Sequence, residues 1–482
     1  MKQKVHRLDP FFRPQSIALF GSMQEGWFFG AAVIISDLMK WNYTGKIYPV
    51  HPTARTVYGI PVFQDLAQVK DVPELAVIVT SFRHAPGILE QCGAKGIRAA
   101  VIVSDGFGEA GPEGKIRQEE LLRIAKAHGI RVMGPNTVGV FNSESRFTTV
   151  PYDRGYEYAK QGKLSIITQT GMYSPQAMAW HEYEAGINKV IDLGNMSDVD
   201  ETDCLEYLSR DDSTDVISLY MEHSRRPRVF LDALKKASLR KPVLCLLPGG
   251  SPGAAQAMAS HTGSMAGNAE LYQAALRQGG ALRVEEYEDL RDCATPFLRY
   301  PLPQGNRLGI ITFSGAIGIQ AIDAAEACGL SLGKLSSESR RELSAVSGTL
   351  GGHPIDVGPA SATAGAGIFD LYQKCFDILA ADENIDCIYL NTYVFNGLKP
   401  AYYEDLLGRI GSCRGKPVVS WCYGPSQQLV CEFGKLAERH GIPFYLNSRK
   451  AVRSLSYMAR YAHWKAVASG KPLRRPSVHP AG

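Results

Sequence analysis

Two stretches, G-K-L-S-I-I-T-Q-T-G (162–171) and N-R-L-G-I-I-T-F-S-G (306–315), are written to one pattern. In each, a basic residue leads into a short apolar run that closes on threonine and then, two residues later, a hydroxyl residue and glycine. Further along, R-K-P-V-L-C-L-L-P-G (240–249) matches G-K-P-V-V-S-W-C-Y-G (415–424). Runs this short, bounded by glycine and proline, read as buried strands of parallel sheets. The longer amphipathic stretches between them read as covering helices. A pattern repeated at this scale signals two units of one architecture. The sequence therefore predicts two flavodoxin-like domains, over 160–300 and 305–465, parted near P-L-P-Q-G (301–305).

The same alternation extends to the amino-terminal side. Strand candidates are S-I-A-L-F (16–20), K-I-Y-P-V (46–50), L-A-V-I-V (75–79), A-A-V-I-V (99–103) and R-V-M (131–133). Each is followed by a turn and helix-like sequence, which predicts a Rossmann-like domain over 1–150 and an α/β class throughout. A polar, aromatic linker, Y-D-R-G-Y-E-Y-A-K-Q-G (152–162), follows it. The basic, proline-containing end, 466–482, is expected to be a disordered tail.

Composition narrows the function classes. The chain has 482 residues, 45% hydrophobic and 21% charged, with a net charge of +4. That charge is too small, and too evenly spread before the tail, for a nucleic-acid partner. The start, M-K-Q-K-V-H-R-L-D-P-F-F-R-P, has no apolar core of a signal peptide, and no run is long enough to span a membrane. The ten cysteines form no C-x-x-C pair and several lie in apolar runs. A cytoplasmic protein with reduced core thiols and no metal site of its own is expected.

The first strand runs into F-G-S-M-Q-E-G-W-F-F-G (20–30), a glycine-rich turn before an apolar helix, where backbone N–H groups can meet a phosphate. Gly21, Gly26 and Gly30 do not fit G-x-G-x-x-G. The second strand ends in Y-P-V-H-P (48–52), without the carboxylate that a nicotinamide dinucleotide's ribose needs. S-D-G-F-G-E-A-G (104–111) and M-G-P-N-T-V-G-V-F-N (133–142) also follow strands, on the edge where such sheets bind ligands. Asn136 there reads equally as a turn former and a ligand contact. Finally, A-S-H-T-G-S-M-A-G (259–267) presents one histidine among small residues. Alone, it is a surface residue on a loop or a reactive group that travels.

These segments, in this order over about residues 8–460, resemble the nucleoside-diphosphate-forming acyl-CoA synthetases, the superfamily of succinyl-CoA synthetase and the ADP-forming acetyl-CoA synthetases. The resemblance is carried by F-G-S with Gly30, Y-P-V-H-P, G-F-G-E-A-G, G-P-N-T-V-G-V, T-Q-T-G, L-G-N-M-S-D-V-D-E-T-D (193–203), Y-M-E (220–222), S-H-T-G-S-M-A-G and H-P-I-D-V (353–357). It implies CoA around Gly21, Ser22, Gly30, Pro52 and Asn136. Lys46 reads better as a solvated lysine than as a partner of a CoA phosphate. The resemblance also implies that His261 carries a phosphoryl group, with Glu222 holding its other ring nitrogen. Imidazole accepts and returns a phosphoryl group, and a carboxylate fixes its tautomer and offsets ring charge.

Two strand-to-helix turns, Thr170–Gly171 and Ser314–Gly315, are the helix N-termini expected to face the phosphoryl group. Gln169 is a further candidate for acyl-phosphate oxygens. The sequence departs from the family pattern at Thr137, at the P-G-G after V-L-C-L-L, and at Trp27, Phe28 and Phe29. Those aromatics, with Met172 and Tyr173, suggest an acid larger than acetate. The three α/β units leave no room for an ATP-grasp domain. ATP/ADP with Mg2+ is therefore expected on a separate ATP-grasp beta-type subunit, in a hetero-oligomer. Other readings on the same fold are a CoA-binding regulatory protein and an acyl or carbamoyl transferase. An NAD oxidoreductase is disfavoured by the missing carboxylate.

Overall fold

The structure, a computed structural model, describes residues 6–152, 159–171, 182–254, 256–257, 269–363, 367–397 and 403–470. The chain divides into two compact units, Met1–Tyr287 and Glu288–Gly482.

Among the described residues the first unit holds two large sheets and a two-stranded hairpin, Thr56–Val57 with Ile60–Pro61. The first sheet contains β1 (Ser16–Gly21), β2 (Lys46–Val50), β3 (Leu75–Val79), β4 (Ala99–Ile102) and β5 (Arg131–Met133), in the order β2-β1-β3-β4-β5 and all parallel. These are the strands expected from the sequence. β3 and β4 are buried at every position, which is why they read as unbroken apolar runs. The chain leaves β1 toward β2 and crosses back to β3, so a ligand crevice opens at the carboxyl ends of β1 and β3.

The second sheet contains β6 (Val140–Asn142), β7 (Phe147–Thr148), β8 (Gln161–Thr168), β9 (Ile187–Asp192), β10 (Val216–Tyr220), β11 (Val243–Leu246) and β12 (Leu282–Val284). Its order is β12-β11-β10-β8-β9-β6-β7. The parallel part, β9-β8-β10-β11-β12, is the flavodoxin-like order. Hairpin β6–β7 falls within the 1–150 segment assigned to the first domain, but it joins this second sheet. β6 pairs antiparallel with β9, from Lys189 opposite Asn142 to Ile191 opposite Val140. The hairpin covers an edge that would otherwise offer unpaired backbone groups.

The second unit repeats the plan. β13 (Arg307–Thr312), β14 (Ser331–Leu332), β15 (Ile355–Asp356), β16 (Cys387–Tyr393) and β17 (Val418–Tyr423) run in the order β14-β13-β16-β17, with β15 also on β13. The segment from Glu288 packs here: Arg453 pairs with Asp289 at 2.7 Å, and Phe297 meets Tyr461 edge-on at 5.8 Å. Residues 288–300, placed with the middle domain on sequence, thus belong to the second compact unit. The helix Ser448–Ala468 extends into the segment expected as tail. Residues 471–482, the rest of that expectation, lie outside the described residues.

Candidate active site

The carboxyl ends of the first two sheets enclose a cleft of about 1710 Å³. This exceeds the few hundred to ~1000 Å³ usual for one small ligand, so it has room for more than one reactant. From the first sheet it is lined by Gly21 and Ser22 after β1, His51 and Pro52 after β2, and Thr80, Ser81, Arg83 and His84 after β3. From the second it is lined by Gln169, Thr170 and Gly171 after β8, Asp192 closing β9, and Glu222 and His223 after β10. Asn136 lies on the segment between the sheets.

Gly21 is there because nothing larger fits. Its φ is +147°, and a β-carbon would sit 2.3 Å from the Val79 carbonyl oxygen. The ends of β1 and β3 therefore close together at the mouth of the crevice. Gly194 plays the same part between the sheets, where a β-carbon would meet the Pro135 carbonyl at 2.3 Å. Asn136 has φ 58°, its N–H donates to Ser104 (2.8 Å) and its carboxamide to Asn195 (3.3 Å). Asn195 also donates to Glu109 and Gln118. So G-F-G-E-A-G, G-P-N-T-V-G-V and L-G-N meet across the cleft floor.

Gly30 is not among the cleft residues. It precedes the helix Ala31–Lys40, and its N–H is taken by the Pro151 carbonyl at 3.0 Å. Its part is to let the chain enter that helix. Lys46 stands outside the cleft as well, bonded to Asp71 at 2.7 Å. Trp27 and Phe28 are 50% and 60% exposed and meet with tilted rings 5.0 Å apart, and of the three aromatics only Phe29 lines the cleft, against Tyr152. Met172, Tyr173 and His261 lie outside the described residues.

The turn Glu222–Arg226 is pinned residue by residue. The Gln169 carboxamide oxygen accepts from the backbone of Glu222 (2.7 Å) and His223 (3.2 Å), while its NH2 donates to the His223 carbonyl (2.8 Å) and to Met196 sulfur (3.0 Å). With both its donors and its acceptor used this way, Gln169 holds the backbone of the Glu222–His223 turn. The Tyr220 hydroxyl donates to Glu222 Oε1 at 3.4 Å. Arg225 donates to the Met196 and Ser197 carbonyls. Arg226 forks onto Asp200 at 2.7 and 2.6 Å. Asp203 accepts from Arg131 at 2.7 Å. Burial works against the Asp203 carboxylate, but Arg131, then Arg226 and Arg7, hold its pKa below the usual value.

Thr170 and Ser314 occupy matching turns. Thr168 Oγ1 accepts from Thr170 N–H at 3.0 Å and donates to its carbonyl at 2.8 Å. Thr312 Oγ1 does the same with Ser314 at 3.1 and 2.9 Å. In the second unit the turn leads into the helix Gly315–Ala327, with Ser314 at its cap. The residues that follow Gly171 lie outside the described ones.

Sequence reading missed several groups. His51 accepts backbone N–H groups of Thr53 and Ala54 on Nδ1, at 3.3 and 3.1 Å, so its neutral ring carries hydrogen on Nε2. Arg83 and Lys115 add positive charge to the CoA-side wall, where His84 places an imidazole. T-S-F-R-H-A-P (80–86) follows β3, and the rule of strand carboxyl ends flags it. His223 is kept neutral by burial, with Arg225 adding to the effect. Burial pushes Asp192 up to about 6, although Val138 and Gly194 N–H groups donate to it.

Residues 15–143 match the CoA binding domain family, and residues 161–297 the succinyl-CoA ligase like flavodoxin domain family. The alpha subunit of acetate–CoA ligase (ADP-forming) I from Pyrococcus furiosus is 32% identical over 470 residues, covering 95% of this chain and 98% of that one. This chain belongs to the ADP-forming acetate–CoA ligase family. The family also includes longer chains. Acetate–CoA ligase (ADP-forming) I of Archaeoglobus fulgidus is 33% identical over 466 residues, and this chain spans 64% of its length. Among solved structures, the acetyl-coenzyme A synthetase 1 of Ca. Korarchaeum cryptofilum, in complex with phosphate and ADP, superposes with a TM-score of 0.86 at 27% identity. The match covers 96% of this chain and 98% of that one. Family membership gives the cleft its reading as a CoA site. No helix among the described residues is long and apolar enough to cross a membrane, and they contain no cluster of metal-ligating side chains.

Proposed function

We propose that the chain is the alpha-type subunit of an ADP-forming acyl-CoA synthetase, interconverting carboxylate, CoA and ATP with acyl-CoA, ADP and phosphate. The supporting observation is that one cleft holds both the turns expected to take CoA and the clamped Gln169–Glu222 turn. In the ATP-forming direction, a phosphate oxygen attacks the thioester carbonyl. The C–S bond breaks, and the CoA sulfur leaves as thiolate and takes a proton. The product is an acyl phosphate, whose oxygens meet N–H groups at Thr170–Gly171.

A His261 ring nitrogen then attacks phosphorus and the acyl oxygen leaves as carboxylate. Glu222 accepts from the other ring N–H and offsets charge on the imidazole. ADP oxygen finally displaces the neutral ring to give ATP. CoA would be held by Ser22, Asn136 and the His51–Pro52 turn, with Arg83 and Lys115 as counter-charges. Adenine nucleotide and Mg2+ belong, in this proposal, to an ATP-grasp beta-type subunit in a hetero-oligomer, and the assembly to the cytoplasm. Mixing the chain with such a subunit, acetyl-CoA, ADP and phosphate should yield ATP, and either component alone should not. ATP formation by the chain alone would refute the division of labour. Tight CoA binding with no turnover by the complex would favour a regulatory CoA-binding protein.

A further inference from the structure

Beneath the turn that carries Glu222 lies a second acid. Glu201 opens the helix Glu201–Arg210 and is 0% exposed. Its Oε1 accepts from the Ser224 hydroxyl at 2.5 Å and from Thr202 at 3.3 Å. Its Oε2 has no hydrogen-bond partner among the described residues. A buried carboxyl oxygen left without a partner is uncommon in a folded protein and calls for a reason beyond packing. The other acids of D-V-D-E-T-D are paired: Asp198, Asp200 and Asp203 all answer arginines. Glu201 answers none, and beyond its own neighbour Thr202 it reaches the turn through Ser224.

Ser224 is the point of contact. Its hydroxyl is bound to Glu201, and its N–H donates to the Tyr272 hydroxyl at 3.1 Å. Tyr272 belongs to the helix Ala269–Gly279, which follows the segment containing His261. Ser224 therefore joins the Glu222 turn to a buried acid on one side and to the helix Ala269–Gly279 on the other. We infer that Glu201 is a positioning residue for Glu222, acting through Ser224. The inference rests on the proposed phosphoryl-transfer role of Glu222. Burial, with the Asp200 charge adding, pushes Glu201 up to about 7. A carboxyl near half-protonation sustains the Ser224 contact with little charge to solvate. Glutamine preserves that acceptor, and alanine removes it.

The test compares Glu201→Ala, Glu201→Gln and Ser224→Ala in the full chain with its ATP-grasp partner. ATP formation from acyl-CoA, ADP and phosphate should fall about tenfold or more in kcat for Glu201→Ala, because small displacements of a reacting constellation are costly. KM for acyl-CoA should stay within about twofold, because the CoA-side wall is untouched, and Glu201→Gln should restore most of kcat. Ser224→Ala, which keeps the buried acid, should match Glu201→Ala and serves if that variant does not fold. Amide hydrogen exchange at 222–226 should accelerate in both lesions. Wild-type kcat in both, or kcat and KM changing in proportion, overturns the inference. So does unchanged exchange at 222–226. The exchange measurement needs no turnover, so it judges the Glu201–Ser224 link even if the complex forms no ATP.

Discussion

At the residue scale, the commitments of single side chains decide what each can do. Gln169 spends its carboxamide on the Glu222–His223 backbone. Gln169→Ala leaves those groups without their partner, at about 1–3 kcal/mol. It should lower the unfolding midpoint modestly and the rate of histidine phosphorylation by about tenfold or more, while CoA affinity by calorimetry stays near wild type. Asp192 gives a pH signature. Its carboxyl is raised by burial from 3.8 to about 6. The folded state thus holds a proton the unfolded chain has released, and stability should decline as pH rises from about 4 through about 6. The decline attributable to Asp192 is at most about 3 kcal/mol. Asp192→Asn should remove that slope in urea titrations, from a lower baseline, because an amide accepts only one of the two N–H bonds well. Persistence of the full slope would assign it to another group.

These pairings were the least legible part of the sequence. Gln169 bonds main-chain groups more than fifty positions away, and no local pattern announces such a contact. Glu201, one acid among several in L-G-N-M-S-D-V-D-E-T-D, is not singled out by the sequence, because only the packing of the helix it opens brings it to Ser224.

At the element scale, the reading succeeded where burial shapes the sequence. β1 to β5 are recognisable because parallel strands covered on both faces are continuous apolar runs. The β8 and β13 repeats are recognisable because the same strand closes on the same threonine-backed turn. Hairpin β6–β7 was not among the strands read from the sequence, and strand character alone does not say which sheet a strand will join. The crevice at the ends of β1 and β3 makes a prediction of this scale. Gly21→Ala drives a methyl to within 2.3 Å of the Val79 carbonyl and forces a disfavoured backbone conformation. It should cost about 1–3 kcal/mol, seen in thermal unfolding, and weaken CoA binding measured by calorimetry. Wild-type affinity would mean that CoA does not use this turn.

At the scale of the whole molecule, the chain is two compact units carrying three large sheets among the described residues, with the CoA-side wall and the Glu222 turn in the first and the Ser314 turn in the second. Glu222→Gln keeps the fold and its Gln169 clamp, but withdraws the negative charge offered to the histidine. It should slow phosphoryl transfer by about a hundredfold without changing CoA affinity. The central claim is that His261 carries the phosphoryl group. Its most direct test is the intact mass of the chain after incubation with phosphate and a panel of acyl-CoAs, beside His261→Ala. The account predicts an acid-labile phosphoryl adduct on the wild type alone, formed with the acyl-CoA that is the substrate. An adduct on both proteins would contradict it. So would its absence from the wild type even with an ATP-grasp partner, ATP and Mg2+.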